Sequence, residues 1–250
     1  MPINVAQDRW YRPLYQAVYD GLVSRGLKHI DIPGPSIAVR GPGNASDVPL
    51  ESFYLSLNGD LVLLLQVRGV IKTGSLLFSI GNFVGHLGLT RILREYSRAG
   101  DSFPVAPILR NPLNCPQFQE ERILCGGNSW ISKNTGAEEL AHIGSLWVEA
   151  ISESLVPRLK LLTEQDLFER VIAERQPSAR KIACYLYLGE FALARECALL
   201  VYEKYDRYKL SHPVSSAGRA QFMSVCDEEF LNRVLESCDA GRLILRAVAP

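Results

Sequence analysis

FYLSLNGDLVLLLQVRGVIKTGSLLFSIGNFV, residues 53–84, decides the fold class. Two apolar runs, Phe53–Leu57 and Leu61–Arg68, flank Asn58-Gly59-Asp60. An Asn-Gly pair supplies the positive φ angles of a tight hairpin turn. A second turn at Lys72-Thr73-Gly74-Ser75 leads into Leu76–Val84, which continues the strand pattern. Links this short force antiparallel pairing, because a parallel crossover needs roughly a dozen residues. The stretch therefore reads as a three-stranded meander. Residues 36–40 and 117–124 are expected to add edge strands, and Leu89–Ala99 to form a short helix that interrupts the sheet.

On the N-terminal side, Leu14, Ala17, Val18, Gly21 and Leu22 recur at the three-four spacing of one helical face. Pro13 is compatible with a first helical turn and Gly26 with a helix end. Tyr11, Tyr15 and Tyr19 form a row on that helix, read as packing plus phenol hydrogen bonds. On the C-terminal side the period changes from two to 3.6 beyond Gly136. Leu140, Ile143, Trp147, Ala150, Ile151 and Leu155 make a helical stripe that Pro157 is expected to terminate. Helices are expected over 164–173, 178–188, 190–205 and 215–236, with Gly189 reversing the chain between two of them into an αα-hairpin. The resulting expectation is an α+β protein. Its N-terminal helix and antiparallel meander sheet occupy residues 1–135, and a helical subdomain follows over 136–250, the two being either separate subdomains or one continuous domain.

Composition narrows the function classes. Hydrophobic residues are 47% and charged residues 22% of the 250, which suits an ordinary globular core. Lys plus Arg and Asp plus Glu balance at 27 each, so the basic face of a nucleic-acid binder is not expected. The N-terminus has no basic segment followed by an apolar run, and the longest greasy run, Leu61–Leu65, falls far short of the ~20 residues of a span. A cytoplasmic protein without membrane insertion is the expectation. Cys115, Cys125, Cys184, Cys197, Cys226 and Cys238 form no CxxC pair, and a chain with a full core needs no disulfide staples; free thiols in a reducing compartment follow.

Motifs that carry chemistry are largely missing from the sequence. The four histidines are scattered, and Glu138 with His142, four apart on one helix face, lacks a third metal ligand, so no metal or other cofactor is expected. GxxxxGK[ST], GxSxG and HExxH are all missing. Gly126-Gly127-Asn128-Ser129-Trp130 could aim backbone N–H groups at an anion, but no base is paired with Ser129 in the sequence. It is read as a turn from which Trp130 docks into the core. Glu120-Glu121, Glu138-Glu139 and Asp227-Glu228-Glu229 are read as solvated carboxylates suited to meeting a basic partner surface.

The order of elements resembles a bacterial family of domains of unknown function found among toxin-immunity proteins. The matching text is Leu65-Gln66, Phe78-Ser79-Ile80-Gly81, Cys115 through Arg122 before Trp130, and Tyr187-Leu188-Gly189-Glu190-Phe191. The resemblance implies a non-enzymatic immunity protein that binds and neutralises a cognate toxin or effector, including those of type VI secretion; it carries over no functional residue. The alternative is a small hydrolase-like enzyme whose site is assembled from distant residues, with Ser129, His86, His142 and the carboxylates as raw material. A deep pocket bringing two of these within hydrogen-bond reach would favour it.

Overall fold

The computed structural model describes residues 9–30, 46–47, 51–96, 107–110, 129–211 and 228–244. The strands expected at 36–40 and 117–124 lie outside these residues. In chain order the elements are α1 (Arg12–Ser24), β1 (Lys28–Ile30), β2 (Ser46–Asp47), β3 (Glu51–Ser56), β4 (Leu61–Lys72), β5 (Ser75–His86), α2 (Leu87–Tyr96), β6 (Pro107–Arg110) and β7 (Ser129–Ser132). Then follow α3 (Ala137–Glu149), a π-helical segment (Ala150–Leu155), α4 (Val156–Leu159), α5 (Glu164–Ile172), α6 (Ala179–Tyr187), α7 (Phe191–Ser211) and α8 (Glu228–Ala240). The protein is α+β, as its patterning requires.

The meander forms where the two turns put it. At the second turn Thr73 and Gly74 take φ of 50° and 78°, the pair of positive values that a two-residue hairpin twist-matched to its strands needs. The first turn differs from expectation. Gly59 takes φ 53° while Asn58 does not enter the positive region, and the Leu61 N–H donates to the Asn58 carbonyl at 2.8 Å. Asn58 serves another purpose: its Nδ2 donates to the carbonyl of Lys160, just past α4. That satisfies one of the acceptors a helix end leaves open. The described strands form one sheet in the order β1-β3-β4-β5-β6, with β2 pairing on β4 and β7 on β5.

The chain divides into two compact units, Met1–Val84 with Leu109–Thr163, and Gly85–Ile108 with Glu164–Pro250. These bounds differ from a division between residues 135 and 136. The physical reason is that α3 packs on α1. A Cβ on Gly144 of α3 would lie 2.7 Å from the Leu14 carbonyl oxygen and 2.9 Å from Ala17 Cβ, and one on Gly21 of α1 only 2.7 Å from Val148. Two glycines, one on each helix, permit a close crossing that side chains would prevent. Below it, Tyr15 and Trp147 meet Phe78 edge-on at 5.4 and 5.8 Å between ring centroids. Along β5 burial alternates up to Val84, as expected of a strand with one packed face.

Pro157 does not end the third helix. Proline removes an N–H and its ring crowds the carbonyl four residues earlier. Here Ala150–Leu155 widens into π-helical geometry immediately before it, and helical structure resumes over Val156–Leu159. Widening the turn accommodates the ring without stopping the chain. Leu140, Trp147, Ala150, Ile151 and Leu155 of the expected stripe are buried.

The second unit gathers α2 with α5–α8. Ser178 caps α6 by accepting the Lys181 N–H at 3.2 Å. At the other end Gly189 takes φ 76°, and the Glu190 N–H reaches the Tyr185 carbonyl at 2.9 Å. That is the left-handed stop that turns α6 into α7. Ala194, Cys197, Ala198 and Val201 form the buried side of α7. Tyr96 of α2 and Ser237 of α8 share a buried hydroxyl pair at 2.6 Å, and the Arg233 guanidinium donates to the Glu95 carbonyl at 2.6 Å.

Candidate functional site

Two buried histidines, each set against a carboxylate, are the most chemically distinctive features of the described residues. In the first unit, antiparallel pairing sets His29 of β1 opposite Phe53 of β3. Glu51 stands two residues from Phe53, hence on the same face. His29 Nε2 and Glu51 Oε2 are 2.6 Å apart, with side chains only 8% and 2% exposed. Tyr19 and Phe53 pack edge-on against the imidazole at 5.2 and 5.3 Å. With Nε2–H donated to the carboxylate, Nδ1 presents its lone pair, and among the described residues it has no hydrogen-bond partner. The Tyr15 hydroxyl is likewise buried without a partner among them. Burial holds the Tyr15 phenol well above its ordinary pKa, with the neighbouring Tyr11 and Glu51 adding to the effect. Each such buried polar atom costs about 1–3 kcal/mol when unmatched.

The second pair lies in the other unit. His86, the last residue of β5, caps α2: its Nδ1 accepts the Leu89 N–H at 3.2 Å, while its carbonyl accepts the Thr90 hydroxyl at 2.7 Å. This fixes the tautomer with the proton on Nε2, which points at Glu164 Oε1, 3.3 Å away. The fully buried ring packs against Phe168 and Tyr187 at 5.1 and 4.8 Å. Gly88 is required beside it, since a Cβ there would come within 2.4 Å of the Tyr187 ring. His86 Nδ1 is thus committed to capping α2 while Nε2 stands beside the Glu164 carboxylate, and His29 Nδ1 is buried away from solvent.

The carboxylates expected to meet a partner fall only partly within the described residues. Glu138 and Glu139 are exposed in the first turn of α3, where the helix N-terminus favours negative charge. Glu229 belongs to the other unit and pairs with Arg233 at 3.6 Å. Glu228 opens α8, and the placement of its side chain lies outside the description, as do Glu120, Glu121 and Asp227. His142 is exposed beside Glu138, and among the described residues no group of three or more His, Cys, Asp or Glu could hold a metal ion.

Trp130 corrects another expectation. It sits in β7 opposite Leu77 and is 56% exposed, while its neighbour Ile131, opposite Leu76, is buried. Strand alternation sends one of two adjacent residues inward, and pairing with β5 selects Ile131. Among the described cysteines Cys184, Cys197 and Cys238 are free. Burial pushes the Cys184 thiol up to about 12 and raises that of Cys197 as well, so both behave as packing groups.

The outward side of α7 carries several large exposed apolar side chains. Leu193, Leu199 and Leu200 are 43%, 44% and 49% exposed, and Leu188 at the preceding turn is exposed too. Glu196 lies among them. The expectation of a helix over 190–205 did not include this outer face. The signal was present in leucines recurring seven apart on the side opposite Ala194, Ala198 and Val201.

Among known proteins, no family model, no curated protein and no solved structure matches the chain. Among the described residues, no helix is long and apolar enough to cross a membrane.

Proposed function

We propose that this chain is a non-enzymatic, partner-binding protein of the bacterial immunity type, which acts in the cytoplasm by holding a cognate toxin or effector. The observation that carries the reading is the leucine-rich outer face of α7, at Leu193, Leu199 and Leu200. Large aliphatic side chains grouped on an exposed helix mark surfaces that another protein covers. The test is co-expression with any secreted effector found encoded beside its gene, followed by size-exclusion chromatography and a growth assay. Co-elution and protection of growth are expected, both weakened by Leu193→Ser with Leu200→Ser. An effector that kills equally with and without this chain, and elutes separately from it, refutes the proposal.

One observation favours a second reading, that of a hydrolase-like enzyme. The buried Glu51 carboxylate orients His29 and leaves Nδ1 as a base. On this reading His29→Gln abolishes turnover of an ester or amide substrate. An activity-based screen in which wild type and His29→Gln both lack turnover would dismiss it.

A further inference from the structure

On the outer side of α7, Glu196 has Ala192 and Leu200 four residues away on either side and Leu193 and Leu199 three residues away. Residues at these spacings are immediate neighbours on a helix surface. All five side chains are exposed, so the face presents one carboxylate inside a diamond of four apolar groups. Among the described side chains, the adjoining charges do not neutralise it. Arg195 is engaged with Asp239 of α8 at 3.5 Å, and Glu190, exposed near one end of the diamond, is acidic.

Covering this face with a purely apolar partner would strip water from Glu196 and leave a buried, unmatched charge, which is strongly unfavourable. Leaving the face uncovered keeps three leucines in water. A partner that buries the leucines and supplies a cation at the centre resolves both problems. Arginine suits that position better than lysine: its guanidinium is more weakly hydrated, and it meets a carboxylate through two parallel hydrogen bonds. The surrounding leucines would exclude water from the pair, the arrangement in which a central residue dominates binding.

We infer that the outer face of α7 docks a protein segment presenting an arginine flanked by apolar side chains, with Glu196 as the central contact. The inference rests on the partner-binding reading above and specifies the partner's chemistry.

The experiment is panning of a displayed library of random 12-residue peptides on the full chain, in parallel with Glu196→Gln and with the Leu193→Ser, Leu200→Ser double variant. Circular dichroism of each protein verifies that these surface substitutions leave the fold intact. Enriched peptides are then synthesised and their affinities measured by fluorescence anisotropy. The expected result is enrichment of sequences with an arginine between apolar residues. Their affinity should fall about tenfold or more for Glu196→Gln, as for truncation of one partner in a desolvated charge pair, and also for the double serine variant.

Peptides that lose binding to the double serine variant but bind Glu196→Gln equally, or that carry no basic residue, overturn this inference and leave the partner-binding reading standing. Absence of any peptide that distinguishes wild type from the double serine variant overturns both. A concentration-dependent dimer in sedimentation, abolished by Leu193→Ser with Leu200→Ser, assigns the face to a second copy of this chain and also overturns the inference.

Discussion

Replacing Gly144 by alanine tests the α1–α3 crossing with a change of sign. On helix propensity alone, alanine for glycine in a helix interior is stabilising by about 1 kcal/mol. The structure demands the opposite. The new Cβ would lie 2.7 Å from the Leu14 carbonyl oxygen, where ordinary contact begins near 3.4 Å, so α1 must retreat by roughly 0.7 Å at a densely packed contact. The obstacle is backbone and cannot rotate aside. Overpacking of this kind costs typically ~1–3 kcal/mol, and offsetting the propensity gain leaves a net loss of up to ~2 kcal/mol. The retreat also separates Tyr15 and Trp147 from Phe78. The assay is urea unfolding followed by tryptophan fluorescence. Trp10, Trp130 and Trp147 all belong to the first unit, so the signal reports that unit and leaves the other to far-ultraviolet dichroism. A Gly144→Ala protein with a midpoint above that of wild type would refute the account of the crossing.

Three other outcomes are expected. His86→Ala should lower the stability of the second unit by about 2–4 kcal/mol, combining a lost cap with a cavity. His86→Asn, which can cap, should recover part of this, and hydrogen exchange at the Leu89 amide should quicken in the alanine variant alone. Glu51→Leu should cost about 1.5–3 kcal/mol by removing the acceptor from His29; an unchanged unfolding midpoint would show that the pair carries no stability. Alkali should destabilise the protein in a defined direction. Tyr15 and Cys184 both have raised folded pKa values, so the folded state binds more protons than the unfolded one above their ordinary values of 10.0 and 9.0. Their stabilising contribution is complete below pH 9 and is lost as pH climbs toward about 12 for Cys184. A melting temperature that rises between pH 9 and pH 11 would contradict this.

Local chemistry made much of the fold legible. The turns at Asn58–Asp60 and Thr73–Gly74 and the switch of period near Gly136 are written in adjacent residues, and they placed the meander and the helices. What adjacent residues do not encode is which helix packs on which surface. Periodicity shows that α3 has an apolar stripe, but the complementarity of Gly144 with Leu14 and of Gly21 with Val148 exists only once the chain has folded. The boundary expected after residue 135 therefore cut α3 from its partner. The same limit hid the His29–Glu51 pair, whose members are 22 residues apart. One sign was readable: Glu51 shares strand parity with Phe53, and a carboxylate on the inward side of a strand calls for a partner. His86 was legible as a histidine but not as a cap, because that role depends on β5 running directly into α2.

The interleaving of the two units shapes how the chain can be made and divided. The first unit is entered, left after Val84 and re-entered at Leu109; the second claims α2 long before the rest of it appears. No single cleavage releases either one whole. During synthesis α1 emerges early, but the helix that covers it, Ala137–Glu149, is still to be translated. The apolar side of α1 must then wait in an unfinished chain, exposed to any chaperone or stray nascent strand that finds it first.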